Sequence, residues 1–127
     1  VLIVIKNMLY KKYKEQARVR VHARREYLNT FYNFPYNKVF IKNPKTRWGS
    51  CSSRGNLNFS YKILFLNPAA QDYLIIHELC HLKEFNHSAR FWALVALQSP
   101  DYKTHHLELK YKSNLKVLLE GWRRSLI

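Results

Sequence analysis

Residues 67–92 read Asn-Pro-Ala-Ala-Gln-Asp-Tyr-Leu-Ile-Ile-His-Glu-Leu-Cys-His-Leu-Lys-Glu-Phe-Asn-His-Ser-Ala-Arg-Phe-Trp, and the fold turns on this stretch. Asn67 can cap the free amides of a helix, and Pro68 suits its first position. No breaker follows before Asn86, so Tyr73, Leu74, Ile76, His77, Cys80 and His81 fall on one helix. His77 and His81 lie about 400° apart around that helix, so their imidazoles share a face one turn apart. That spacing lets two nitrogens reach one metal ion, with Glu78 placed to act as general base. In a chain of 127 residues with 6 His, His-Glu-x-x-His arises by chance in roughly one shuffled sequence in a hundred. Its place in a capped, apolar helix sharpens the signal.

A catalytic zinc site keeps three protein ligands and one open position. His87 is the nearest third donor. On a continuous helix it would sit about 600° past His81, off the metal face. The helix must therefore stop and the chain turn back. Asn86 offers a residue that tolerates the left-handed conformation such a turn uses. His105 and His106 are the fallback ligands, and His22 is remote. Ser88 reads as the cap of a further helix over 89–98, where Phe91 and Trp92 join Leu94 and Val95 as core. Cys80 reads as a small buried residue, and Cys51 is only weakly indicated as a ligand.

Outward from this stretch, Lys6 to about Tyr32 has helical spacing, and Asn33–Asn37 reads as a loop. Val1–Ile5 suits the last strand of something upstream, with the chain a C-terminal fragment of a longer one. Val39–Ile41 is a short β-prone run. Arg47–Cys51 and Leu57–Phe59 flank Ser52-Ser53-Arg54-Gly55, which predicts a hairpin. A last helix is expected from about Thr104 to Arg124, with Leu107, Tyr111, Leu115, Leu118 and Trp122 spaced three or four apart. The result is a single domain over 1–127 of the α+β class, helices on a short antiparallel-type sheet.

Composition sets the outer bounds. The chain carries 22 Lys+Arg against 8 Asp+Glu, a net charge of +14, with 47% apolar and 15% aromatic residues. That excludes a disordered polybasic tail. Only 2 Cys are present, too few for a disulfide framework, so a reducing, cytoplasmic setting is expected. No apolar run approaches the roughly 18 residues of a membrane span. The positive charge suits polyanions, nucleic acid or nucleotides, although an ordinary basic surface accounts for it equally.

The run Arg47-Trp48-Gly49-Ser50-Cys51-Ser52, then Gly55-Asn56-Leu57-Asn58, Tyr73 through His81 and Leu82, Asn86-His87-Ser88 and Phe91-Trp92 resembles the YgjP-type metal-dependent hydrolase domain. Its wider relatives are the SprT-like and small gluzincin-like zinc metallopeptidases. The resemblance spans about residues 15–103 and leaves the tail beyond about Lys110 unmatched. It implies a small zincin-like core, with His77, His81 and His87 as Zn2+ ligands and Glu78 as the catalytic acid/base. In the Arg47–Ser52 run, Gly49 permits a close approach. Trp48 can wall a pocket. Arg47 can hold a carboxylate or phosphate. Asn58 joins them as a substrate-binding candidate, on a strand, Asn56–Ser60, that can offer its edge to a peptide. A structural hairpin with a core Trp is the competing reading.

The expected reaction is zinc-dependent hydrolysis of a peptide bond in a peptide or protein substrate, with Tyr102 a possible helper. Two alternatives remain at this level. One is hydrolysis of a nucleotide or other phosphoanhydride, held by Lys45, Arg47 and Arg54. The other is a nucleic-acid-binding module with a structural metal, using Lys11, Lys12, Lys14, Arg18, Arg20, Arg24 and Arg25.

Overall fold

The computed structural model describes residues 1–125, with side chains described as far as Ser113. Four α-helices and three strands follow in the order α1 (Leu2–Tyr32), β1 (Val39–Lys42), β2 (Gly49–Cys51), β3 (Leu57–Ser60), α2 (Pro68–His81), α3 (Ala89–Gln98) and α4 (Tyr102–Ser125). The apolar spacing expected at Leu115, Leu118 and Trp122 lies outside the described side chains.

Val1–Ile5 is not the end of a strand: residues from Leu2 onward are the start of α1. Among the described residues the run pairs with no strand, and nothing between it and Lys6 interrupts a helix. Asn33 ends α1 in the left-handed conformation, and its amide bonds back to Asn29 O at 2.6 Å. The helix buries Ala17, Val21 and Leu28 in the core, and Tyr10 and Tyr13 pack against its rim. Arg24 clamps α1 to α2 with a bidentate bond to Asp72, at 2.9 and 2.8 Å.

The sheet order is β1-β3-β2. β2 and β3 form the expected antiparallel hairpin, with Gly55 at φ 79° in its turn. β1 departs from the expected antiparallel pattern and runs parallel to β3, Val39 facing Leu57. The segment between β1 and β2 crosses over β3, so β2 lands on the far side and the sheet is mixed. β3 is therefore the central strand, and the expectation that Asn56–Ser60 offers a free edge to a peptide is corrected: β2 is the edge on that side.

Ser60 closes β3 and caps a 3-10 turn over Tyr61–Phe65. Asn67 then caps α2 through Ala70 N, with Pro68 in the first turn. α2 is the central slab. Leu74, Ile75, Ile76, Leu79 and Cys80 are buried with Phe59, Phe91 and Val95 in one core. Ser88 caps α3 by accepting from Phe91 N. Among the described residues, no helix is long and apolar enough to cross a membrane.

Candidate metal centre

α2 ends at His81, five residues before the expected stop at Asn86. Its last turn tightens, with Leu82 N on Leu79 O and both Lys83 N and Glu84 N on Cys80 O. Asn33 is the one non-glycine residue with positive φ among the described residues. The left-handed role expected of Asn86 is therefore not used, because the tightened turn reverses the chain with ordinary torsions. His81 seals this reversal: its Nδ1 lies 3.0 Å from Glu84 O.

The reversal brings three rings together. Nε2 of His77 lies 3.2 Å from Nε2 of His81 and 3.2 Å from Nε2 of His87, and the latter two are 3.0 Å apart. Glu84 O can only accept, so Nδ1 of His81 carries that ring's proton and its Nε2 is a bare lone pair. Three imidazole nitrogens so placed cannot all satisfy one another through hydrogen bonds. A tetrahedral ion with Zn–N bonds of about 2.0–2.1 Å spaces its donors about 3.3 Å apart, close to the separations found. The donor set and spacing fit a zinc-type cation, and among the described residues this is the group of His, Cys, Asp or Glu that could hold one. His105 and His106, the fallback ligands, are not part of it.

Aromatic side chains form the floor. Phe91 stacks on His81 with centroids 4.3 Å apart, and Trp92 stacks on His87 at 5.8 Å. Tyr102 stacks on Trp92 at 4.9 Å, so it supports the wall rather than facing the donors. Burial, reinforced by the neighbouring imidazoles, pushes His77 down to about 3. Burial also lowers His81. Both shifts favour the neutral ring, the state in which imidazole binds a metal.

Glu78 is 4% exposed and turns toward the sheet. Burial pushes its carboxyl up to about 8, opposed by the charge of Arg47. A side chain on Gly49 would place its Cβ 2.8 Å from Glu78 Oε2 and 3.0 Å from Asn58 O. The close approach expected at Gly49 is therefore made to the carboxylate itself. A cleft opens on both sides of this contact. One part, about 320 Å³, is bounded by Arg47, Trp48, Tyr73, His106 and Lys110. The other, about 310 Å³, is bounded by Ser50, Cys51, His81, Phe85 and His87. Arg47, Gly49, His77 and Glu78 border both.

Trp48 walls the first part and also ties it to α4, donating from Nε1 to Leu109 O at 3.1 Å. Asn58 has a different place from the one expected. It borders neither part of the cleft, and its Nδ2 bonds across the hairpin to Ser50 Oγ at 3.2 Å. Cys80 is buried, and Cys51 is half-buried; both are free thiols. Burial pushes Cys51 up to about 11, aided by the charge of Glu78. Tyr73, to which the sequence alone assigns no role at the site, has its hydroxyl 3.1 Å from His77 Nδ1. Its signal was its position four residues before His77, the same interval that pairs His77 with His81.

Comparison with known proteins places these features in a family. Residues 4–112 match the YgjP-like metallopeptidase domain. Among solved structures, the crystal structure of the metallopeptidase zymogen of Pyrococcus abyssi abylysin is similar, with a TM-score of 0.65 and 26% identity over 72% of this chain and 93% of that one. No match is found among curated proteins. A family match over most of the chain and a metallopeptidase of similar fold agree with a donor cluster that suits a metal, and the chain belongs to the YgjP-like family of metallopeptidase domains.

Proposed function

We propose that the protein is a zinc-dependent peptidase in which His77, His81 and His87 hold the ion and Glu78 is the general base. The observation that carries this reading is the convergence of the three Nε2 atoms within 3.0–3.2 Å, beside a buried carboxyl that borders the same cleft. These three rings would hold a zinc ion, which would supply a lowered water pKa, towards about 7, and polarisation of a carbonyl oxygen. Glu78 takes a proton from an attacking water as the water oxygen bonds to the carbonyl carbon. It gives the proton to the nitrogen as the C–N bond breaks. Positive charge nearby favours the ionised carboxylate, so a cation on the three rings opposes the upward push of burial. β2, at the edge of the sheet and along the cleft, is the strand on which an extended peptide can pair.

The polyanion readings have less support. On α1, Arg24 is engaged by Asp72 and Arg18 pairs with Glu15. Arg25 lies over the Tyr36 ring and is buried. The basic helix thus offers fewer free cations than its sequence suggests. The two unbridged thiols support the proposed cytoplasmic setting.

The test is Glu78→Gln. The parent is expected to hydrolyse casein, to stop with a chelator, and to leave nucleoside triphosphates intact. The variant keeps its zinc by elemental analysis and loses turnover by about 10²–10⁴-fold. Parental turnover by the variant removes Glu78 as base. Chelator-sensitive triphosphate hydrolysis without casein cleavage moves the site to phosphoanhydrides.

A further inference from the structure

Tyr73 is 1% exposed, and its hydroxyl has two imidazole neighbours. It lies 3.1 Å from His77 Nδ1 on its own helix and 3.1 Å from His106 Nδ1 on α4. A phenol has one proton to give and lone pairs to receive. It must therefore donate to one ring and accept from the other.

The choice matters for His77. If the hydroxyl donates to His77 Nδ1, the ring proton of His77 sits on Nε2 and points at the other two donors. If the hydroxyl accepts there, Nε2 is bare and the three nitrogens can share a cation. His106 decides between them by offering Nδ1 as the acceptor for the one phenolic proton. We propose that Tyr73 and His106 are positioning residues of the metal centre: His106 takes the hydroxyl proton, Tyr73 accepts from Nδ1–H of His77, and His77 is thereby held with Nε2 free. His81 gets the same service from a backbone carbonyl, Glu84 O. This arrangement rests on the proposed role of the three imidazoles, and it makes α4 part of the site without supplying a ligand. Outer partners of this kind typically govern about 10–100-fold in metal affinity.

The experiment measures zinc affinity by competition with a chromophoric chelator, for the parent, Tyr73→Phe, His106→Ala, His106→Asn and His106→Leu. Tyr73→Phe is expected to bind about 10–100-fold more weakly than the parent. His106→Ala should bind more weakly by a smaller factor. His106→Asn, which restores an acceptor, should return most of the loss, whereas His106→Leu, of similar bulk to Asn but without an acceptor, should not; equal affinities for the Asn and Leu variants overturn the acceptor role of His106. A parent that binds no zinc removes the proposed function itself. A parent that binds while Tyr73→Phe matches it overturns only the positioning role. Should Tyr73→Phe fold poorly, long-range 1H–15N spectra of the metal-free parent decide. His77 is expected as the Nδ1–H tautomer, and a predominant Nε2–H tautomer overturns the proposal.

Discussion

The first turns of α1 and the second half of α2 are both rich in apolar residues, yet they meet opposite fates. Leu2, Ile3, Val4, Ile5, Met8 and Leu9 are exposed along the start of α1, with Ile3 at 75%. On α2, Leu74, Ile75, Ile76, Leu79 and Cys80 are all buried. Hydrophobicity alone does not choose between these outcomes, since burial needs a facing layer. α2 lies among α1, α3, α4 and β2, whereas the start of α1 runs past the body of the domain. The consequence for chemistry is that His77 and Glu78 stand on a floor fixed by packing, where geometry can be held before any ligand arrives.

The largest expected effect tests whether that floor is enough without the loop. His87 is exposed and lies beyond the end of α2, so His87→Ala removes little packing. The stability of the metal-free fold should change by no more than about 0.5 kcal/mol. Zinc content should fall well below one equivalent per chain in elemental analysis, because two imidazoles remain where three are needed. A full equivalent in that variant would show that the buried helix holds the ion without the reversal.

Gly49→Ala comes next and acts from the sheet side. The added Cβ would stand 2.8 Å from Glu78 Oε2 and 3.0 Å from the Asn58 backbone oxygen, so either the carboxylate or β2 must shift. Small displacements of catalytic groups cost up to about 100-fold. We expect kcat to drop by roughly tenfold, with zinc content at the parental level. Steady-state kinetics beside elemental analysis separate the two. Unchanged kcat would mean that the carboxylate has room to move without consequence.

This difference also explains what could be seen in the sequence. The helices, the hairpin and the caps at Asn67 and Ser88 follow from local signals, because each is satisfied within a few residues. The reversal before His87 was required by helical angle alone, although the means was not: the tightened turn after His81 depends on backbone bonds that carry no residue signature. Three things escaped for a shared reason. The parallel pairing of β1, the edge position of β2 and the contact of His106 with Tyr73 are all set by long-range packing. The substrate role expected of Asn58 rests on reading Asn56–Ser60 as an edge strand, whereas β3 is the central one. In the folded hairpin its carboxamide faces Ser50 instead.

The smallest effect, that of Ile3→Ala, bears directly on the comparison when set beside the like substitution Ile75→Ala. Ile75 is fully buried two residues before His77, and Ile75→Ala should cost about 2–5 kcal/mol by opening a cavity in the core. Ile3→Ala removes the same atoms from a side chain that is 75% exposed. There the lost burial is slight, and Ala is the better helix former, so stability should stay level or rise by a few tenths of a kcal/mol, about 0.4 at most. Urea unfolding of both variants and the parent, read at equal chain concentration, gives the two differences. A loss above about 1 kcal/mol for Ile3→Ala would mean that the start of α1 is covered in solution. Dependence of that loss on protein concentration would identify the cover as a second copy, because self-association stabilises by mass action whereas packing within one chain does not.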